Sequence, residues 1–327
     1  MKRLQTLTIA LLTCLALSAA DDDIEVTVAY QGTTATVSIP ESAAGFVTCT
    51  SGTSSHVKIV QSSTNDSNPG EITYVLSGNS DDGEFYMEGE FKATVRLNGL
   101  TLTNPDSTAI HVKDGKRIKV NLPAGTTSTL RNGATDANSK GCLHCKGHTE
   151  FTGKGTLNII STFSHAVYSK EYVSIKNCTI NITAAKKDGI HCQQYFLMKS
   201  GVVNISGVED DGIQVELKED TSTGVTKDHE DEDTGNCYLE NGTLSISEYG
   251  SKAIKLDGTL TIKGGTQKYN AADVQENATA INTIRTKAND DAAVYDLRGR
   301  QMPKGAVLPK GIYIIREGDK ASKVIVR

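Results

Sequence analysis

The chain contains no tryptophan, and aromatic residues make up only 5% of it. It has 6 prolines and 4 methionines among 327 residues. Beyond the N-terminus no apolar run is long enough to cross a bilayer, so no stable transmembrane anchor is expected. Basic residues do not outnumber acidic ones: the formal net charge is -5, which argues against a nucleic-acid partner. No segment carries the apolar stripe of an amphipathic helix. What is plentiful is glycine, at 30 residues, together with threonine, serine and asparagine. That composition belongs to a β-rich, turn-rich chain. Its length allows one elongated domain with appendages, or two modest ones.

The first residues read as a secretory signal, residues 1–20. Lys2 and Arg3 precede a largely apolar run from Leu4 to Leu17. Ser18-Ala19-Ala20 offers small residues for cleavage, and Asp21 opens the mature chain. A secreted or cell-surface location follows. After removal of Cys14 with the signal, six cysteines remain: Cys49, Cys142, Cys145, Cys178, Cys192 and Cys237. An even number in an exported protein permits disulfides without fixing any pairing. Cys142-Leu143-His144-Cys145 has redox-like or zinc-like spacing. Residues three apart in a strand point to opposite faces, however, which favours core filling.

A repeat governs the centre of the chain. Six similar pentads begin at Ala109, Cys142, Ala166, Gly189, Gly212 and Ala253. From 142 to 212 their starts are 24, 23 and 23 residues apart. The last step, 41 residues, equals one repeat plus an insertion of 18. A second series, Leu100, Leu157, Ile180, Val203 and Leu244, precedes five of these starts by nine residues each. A third strand recurs between pentads, as in Tyr172-Val173-Ser174-Ile175. Three short strands per coil of about 23 residues define an all-β fold, a right-handed single-stranded parallel β-helix over residues 97–275. Ile110, Leu143, Val167, Ile190, Ile213 and Ile254 should form one inward ladder, and Leu102, Ile159, Ile182, Ile205 and Ile246 another. Residues 21–96 alternate like antiparallel strands and should cap the N-terminal end. Residues 267–290 are polar and aperiodic, with the linker set at 276–284.

The tail carries Val294-Tyr295-Asp296-Leu297-Arg298-Gly299-Arg300, then Leu308-Pro309-Lys310-Gly311-Ile312-Tyr313-Ile314-Ile315, then Lys323-Val324-Ile325-Val326-Arg327. In order and spacing it resembles the C-terminal sorting domain of type IX secretion cargo. That resemblance implies a small β-sandwich over 285–327, recognised by the type IX secretion machinery and removed at the surface. The body resembles a family of β-helical carbohydrate-binding domains, related in fold to pectate lyases. Leu97-Asn98-Gly99-Leu100, Gly153-Lys154-Gly155-Thr156-Leu157, Lys187-Asp188-Gly189-Ile190-His191 and Asp210-Asp211-Gly212-Ile213 carry the likeness. It implies binding of cellulose or polygalacturonate, and of calcium at a repeated Asp-Asp-Gly-Ile whose first copy here begins with Lys187.

Several constellations could carry chemistry. Asp188 and Asp211 occupy equivalent positions on adjacent coils, ~4.8 Å apart. With Glu209 and Asp210 they form an oxygen-rich turn suited to calcium; a solvated acidic turn is the bland alternative. The insertion from Glu216 to Asn236 holds Glu219, Asp220, Asp228, Glu230, Asp231, Glu232 and Asp233 without EF-hand spacing. An outward row of His111, His144, Tyr168, His191, Gln214 and Lys255 is flanked, two residues on, by Lys113, Lys146, Lys170, Gln193, Glu216 and Asp257. This polar, basic strip could hydrogen-bond sugars and pair lysines with uronates, or serve only as a soluble face. Zinc between His144 and His191 is disfavoured, because Tyr168 separates them by ~9.6 Å. Asn158, Asn181 and Asn204 form another row, whose amides can stabilise one another.

Three classes of function follow, in this order. The first is a calcium-assisted binder of polysaccharide, with no catalytic residue. The second is a calcium-dependent lyase using Lys187 or Lys186 as base beside Asp188. The third is a structural or adhesive surface protein. Two-ended processing is directly testable. Mass spectrometry of surface material should find Asp21 at or near the N-terminus and no peptides beyond about residue 285. Abundant mature protein retaining Val294 to Arg327 would contradict sorting by the tail.

Overall fold

A computed structural model describes residues 24–62, 70–89, 91–133, 138–217, 234–277, 292–296, 298–302, 311–317 and 320–326. The signal segment, the acids from Glu219 to Asp233 and Leu308-Pro309-Lys310 lie outside these residues.

Three rows of parallel strands build the body. One row includes Ile118–Leu122, Thr149–Gly153, Val173–Ile175, Phe196–Met198, Cys237–Leu239 and Leu260–Ile262. A second includes Thr101–Asn104, Thr127–Asn132, Thr156–Ser161, Thr179–Ala185, Val202–Ile205, Thr243–Ile246 and Thr266–Lys268. These two share a seventeen-stranded sheet. The third row forms a ten-stranded sheet and includes Ile110–Val112, Gly141–Cys145, His165–Ser169, Ile190–Cys192, Ile213–Val215, Ile254–Leu256 and Val274–Glu276. Each coil of the chain adds one strand to every row.

The alternation in sequence explains which side faces in. In Thr156–Ser161, Leu157, Ile159 and Ser161 are buried while the intervening residues are half-buried. Ile110, Leu143, Val167, Ile190, Ile213 and Ile254 align in one register and are all buried, as expected. Ile159, Ile182, Ile205 and Ile246 also align. Leu130 fills the step between Leu102 and Ile159, in the coil that ends at the Cys142 pentad and that has no member in the nine-residue offset series. In that coil Ser128 replaces the apolar residue of the series and pairs in register with Leu157. Its hydroxyl accepts from the Leu100 N–H at 3.0 Å and donates to the Leu97 carbonyl at 3.1 Å. Ser128 also lies fourteen residues before Cys142, not nine, so the offset fails there.

Two expectations are corrected. Residues 21–96 are not chiefly antiparallel. Ile24–Gln31 pairs parallel with Ile72–Ser80, and His56–Gln61 with Glu84–Glu88. The antiparallel partners there are Thr34–Ser38 and Val47–Cys49. Period-two patterning reports a half-buried strand and is blind to the direction of its neighbour. The polar stretch from residue 267 is also not all linker, since Val274–Glu276 extends the third row. Among the described residues no further coil stacks on this one, so few apolar residues are needed there. At the C-terminus Ala292–Asp296, Gly311–Glu317 and Lys320–Val326 form an antiparallel three-stranded sheet.

Spacing between coils is tight at the pentad starts. A Cβ on Gly212 would lie 2.5 Å from both the Ala253 carbonyl oxygen and Ile246 Cγ2. One on Gly189 would lie 2.7 Å from the Gly212 carbonyl oxygen and Ile205 Cγ2. Gly212→Ala should therefore destabilise by about 1–3 kcal/mol through overpacking, measured by urea melting. An unchanged midpoint would show that the coils are looser than described.

Candidate functional site

The ten-stranded sheet presents the expected row, preceded by one further member, Tyr86. Tyr86, His111, His144, Tyr168, His191, Gln214 and Lys255 pair in consecutive register. His111 stacks on His144 with centroids 4.4 Å apart, and Tyr168 stacks on His191 at 5.1 Å. His144 meets Tyr168 edge-on at 5.0 Å. The row is not the open strip that the sequence implied. His144, Tyr168 and His191 are only 7%, 6% and 4% exposed. At strand spacing the rings cover one another's faces, and Gln193 Nε2 closes over the Tyr168 hydroxyl at 2.8 Å.

Exposure returns two residues further on. Lys113, Lys146 and Lys170 are exposed, whereas Gln193 is buried. Lys113 pairs with Glu88 at 3.2 Å and lies over the Tyr86 ring. Among the described residues Lys146 and Lys170 make no ion pair. They project from adjacent coils, because Cys145 and Ser169 before them are register partners.

The position just before each pentad forms a second row, in which Gly141 pairs with His165 and Asp188 and Asp211 follow. Side chains here accept the N–H of the next coil. Asp188 Oδ1 takes the Asp211 N–H at 3.1 Å, and Asp211 Oδ1 takes the Lys252 N–H at 2.9 Å. Asp188 Oδ2 lies 2.9 Å from His191 Nδ1 and 3.1 Å from His165 Nδ1. Burial alone would raise the pKa of Asp188, but the adjoining His165 and His191 imidazoles hold its carboxyl well below the usual range. His165 was not among the expected site residues. The signal was available: 165, 188 and 211 are separated by two steps of 23.

Of the expected calcium ligands, Asp188, Asp210 and Asp211 offer oxygens that lie within 4.8 Å of one another. Glu209 lies outside that group, and its carboxylate pairs with exposed Lys186. Lys187 is exposed beside the cluster. Burial, then the charges of Asp188 and Asp211, raises the pKa of Asp210. Such mutual repulsion is what a hard cation relieves, so these oxygens fit calcium. Lys255 already supplies one positive group, 3.2 Å from Asp211 Oδ2, and would have to share or yield that position. The expected amide row is present: Asn181 donates to Asn158 and Asn204 to Asn181, each at 2.9 Å. Cys142 and Cys145 are both buried free thiols, which is core filling with both sides covered.

Parallel rows, a tightly packed imidazole–phenol row and flanking lysines define an all-β protein of polysaccharide lyase-like architecture. Residues 56–301 match the family model for carbohydrate-binding domain-containing proteins, and the chain belongs to that family. A carbohydrate-binding domain-containing protein of Acetivibrio thermocellus is 24% identical over 103 residues. That match covers 29% of this chain and 36% of the relative, so the chain spans little more than a third of it. The solved polysaccharide lyase-like protein from C. thermocellum, a gadolinium derivative, superposes with a TM-score of 0.53. It is 17% identical, with 77% of this chain and 100% of that chain covered. At that identity the likeness concerns the fold.

The buried row gives stability a pH dependence. Burial, then the charge of His111, pushes His144 down to about 3. Below pH 6.5 the unfolded chain therefore binds a proton that the folded chain refuses, and stability falls as pH drops toward 3. Burial raises Asp114 to about 6, which opposes the trend because its folded form takes a proton first. Between pH 7 and pH 5, His144→Gln should remove about 1–2 kcal/mol of the decline in urea stability. An identical slope in wild type and variant would mean that His144 titrates freely.

Proposed function

We propose that the protein is an exported polysaccharide-binding protein whose body is a right-handed parallel β-helix. Lys146 and Lys170 are its principal glycan contacts, and the edges of the His111, His144, Tyr168 and His191 rings lie beside them, with Gln214 further along. The observation that carries this reading is the pair of exposed lysines without ion-pair partners on adjacent coils. An uronate carboxylate is the natural partner for them, which favours polygalacturonate over neutral cellulose. Membership of a carbohydrate-binding family supports the ligand class. Calcium held by Asp188, Asp210 and Asp211 assists, either by ordering the coil or by bridging to a uronate. Delivery to the surface rests on the signal segment and the type IX sorting tail, read from sequence.

Gel-shift electrophoresis with polygalacturonate tests this reading. Replacing Lys146 and Lys170 together by Ala should weaken binding by at least about tenfold, since two charge-assisted contacts are lost. Retained affinity in the folded variant would remove this face from the account. Calcium should raise the melting temperature, and Asp211→Asn should shrink that rise. Absorbance of unsaturated product, lost in Lys187→Ala with binding intact, would favour a lyase instead. No binding to any glycan would leave a structural surface protein.

A further inference from the structure

Asp188 is fully buried, and its two carboxylate oxygens face different groups. Oδ1 serves the Asp211 N–H, on the side of the acidic cluster. Oδ2 faces two imidazoles, His165 of the preceding coil and His191 of its own. Side-chain exposures are 9% for His165, 0% for Asp188 and 5% for His191, so this side is nearly sealed. One ligand atom from each of the three lies within 4.8 Å of the others.

The tautomer of His165 separates two accounts of this cluster. Its Nδ1 accepts the Asp188 N–H at 3.3 Å, the same coil-to-coil bond that Asp188 and Asp211 accept through oxygen. Accepting requires a lone pair on Nδ1, which puts the proton of a neutral ring on Nε2. Two lone-pair atoms, His165 Nδ1 and Asp188 Oδ2, then approach to 3.1 Å with no proton between them. A cation reconciles that contact.

We infer that His165, Asp188 and His191 form a site for a divalent first-row transition cation, clamping two successive coils. Two imidazole nitrogens and one carboxylate oxygen are the borderline donors that zinc, cobalt, nickel and iron prefer, whereas calcium prefers oxygen alone. The edges also fit. With bonds of about 2.1 Å, neighbouring ligands of an octahedron lie about 3.0 Å apart and those of a tetrahedron about 3.4 Å. The separations here are 2.9 and 3.1 Å. Behind His191, the second ring nitrogen has no hydrogen-bond partner among the described residues, and Glu216 Oε2, 3.6 Å away, is a carboxylate toward which a ligating imidazole could turn. The site shares Asp188 with the calcium reading, but its other ligands are different.

Cobalt provides the test, on the full mature chain after chelation. Titration with cobalt(II) should give a saturable visible absorption at one equivalent, weak as for a six-coordinate ion, and a raised melting temperature. Zinc should displace the cobalt, and excess calcium should not. His165→Gln and His191→Gln should each weaken binding by at least about tenfold. The calcium-dependent melting shift should persist in His165→Gln, so either site can fail alone. Should both variants misfold, wild-type protein still decides: cobalt should produce two paramagnetically shifted imidazole N–H signals by NMR. An absence of saturable absorption or shifted signals, or unchanged affinity in folded His165→Gln, would overturn the inference. So would a thiolate-to-cobalt charge-transfer band, which would place the ion on the buried cysteines.

Discussion

Main-chain hydrogen bonding between successive coils, in one maintained register, is the constraint on which the rest of this structure depends. Ile190 lies against Ile213 and Ile213 against Ile254, and the residues beside them are brought into rows by the same pairing. A side chain is thereby placed next to the occupant of its own position one coil away. Apolar positions become a continuous core. Asparagines become an amide ladder, with Asn204 bonded to Asn181 and Asn181 to Asn158. Acids become a cluster whose charge must be compensated. Among the described residues, the register itself brings the side chains of the site together.

Much of this could be read from residue spacing, because in a stacked fold the repeat length is itself the register. The ladder from Ile110 to Ile254 followed from six pentads. What spacing could not convey was direction and cover. Ile24–Gln31 alternates as an antiparallel strand would, yet its partner Ile72–Ser80 runs parallel to it. His144 points away from the core, as its place in the pentad required, yet is buried because equally large rings lie above and below. A strand pattern separates inside from outside; it does not weigh the neighbours on the outside. In the coil that ends at the Cys142 pentad, the second strand is not legible from spacing, because Ser128 stands where the other coils have an apolar residue and extra residues break the offset. His165 differs again: it shares the 23-residue spacing of Asp188 and Asp211, but an imidazole at a position otherwise held by carboxylates carries no composition signal of a shared site.

The row before the pentads shows how a buried charge is tolerated. Asp188 keeps its charge with no exposed surface because three groups converge on it: the Asp211 N–H and two imidazoles. Breaking such a set leaves an uncompensated carboxylate, which typically costs 3–5 kcal/mol or about that. Asp211 has a different solution, with Lys255 one coil further on standing 3.2 Å away. The two acids are equivalent in register yet differ in surroundings, since the coils on either side supply histidine to one and lysine to the other. That asymmetry gives one short turn two chemically different faces.

On the exposed side the same stacking sets up a charge gradient. Reading along the row two residues past the rings, Glu88 pairs with Lys113, and Lys146 and Lys170 follow with no ion pair among the described residues. Gln193 and then Glu216 and Asp257 complete it. The positive segment is thus two coils long and bounded by acids at both ends. Two ammonium groups brought to the coil spacing of ~4.8 Å would repel by about 0.9 kcal/mol in water, less with salt or when the side chains splay apart. An anionic ligand bridging them removes that repulsion as well as adding its own attraction. A neutral glycan gains neither. Under the proposed function, discrimination between acidic and neutral chains would follow from these two lysines, which make no ion pair among the described residues, and a carboxylate substituted beside them would stabilise the fold slightly while weakening the ligand's advantage.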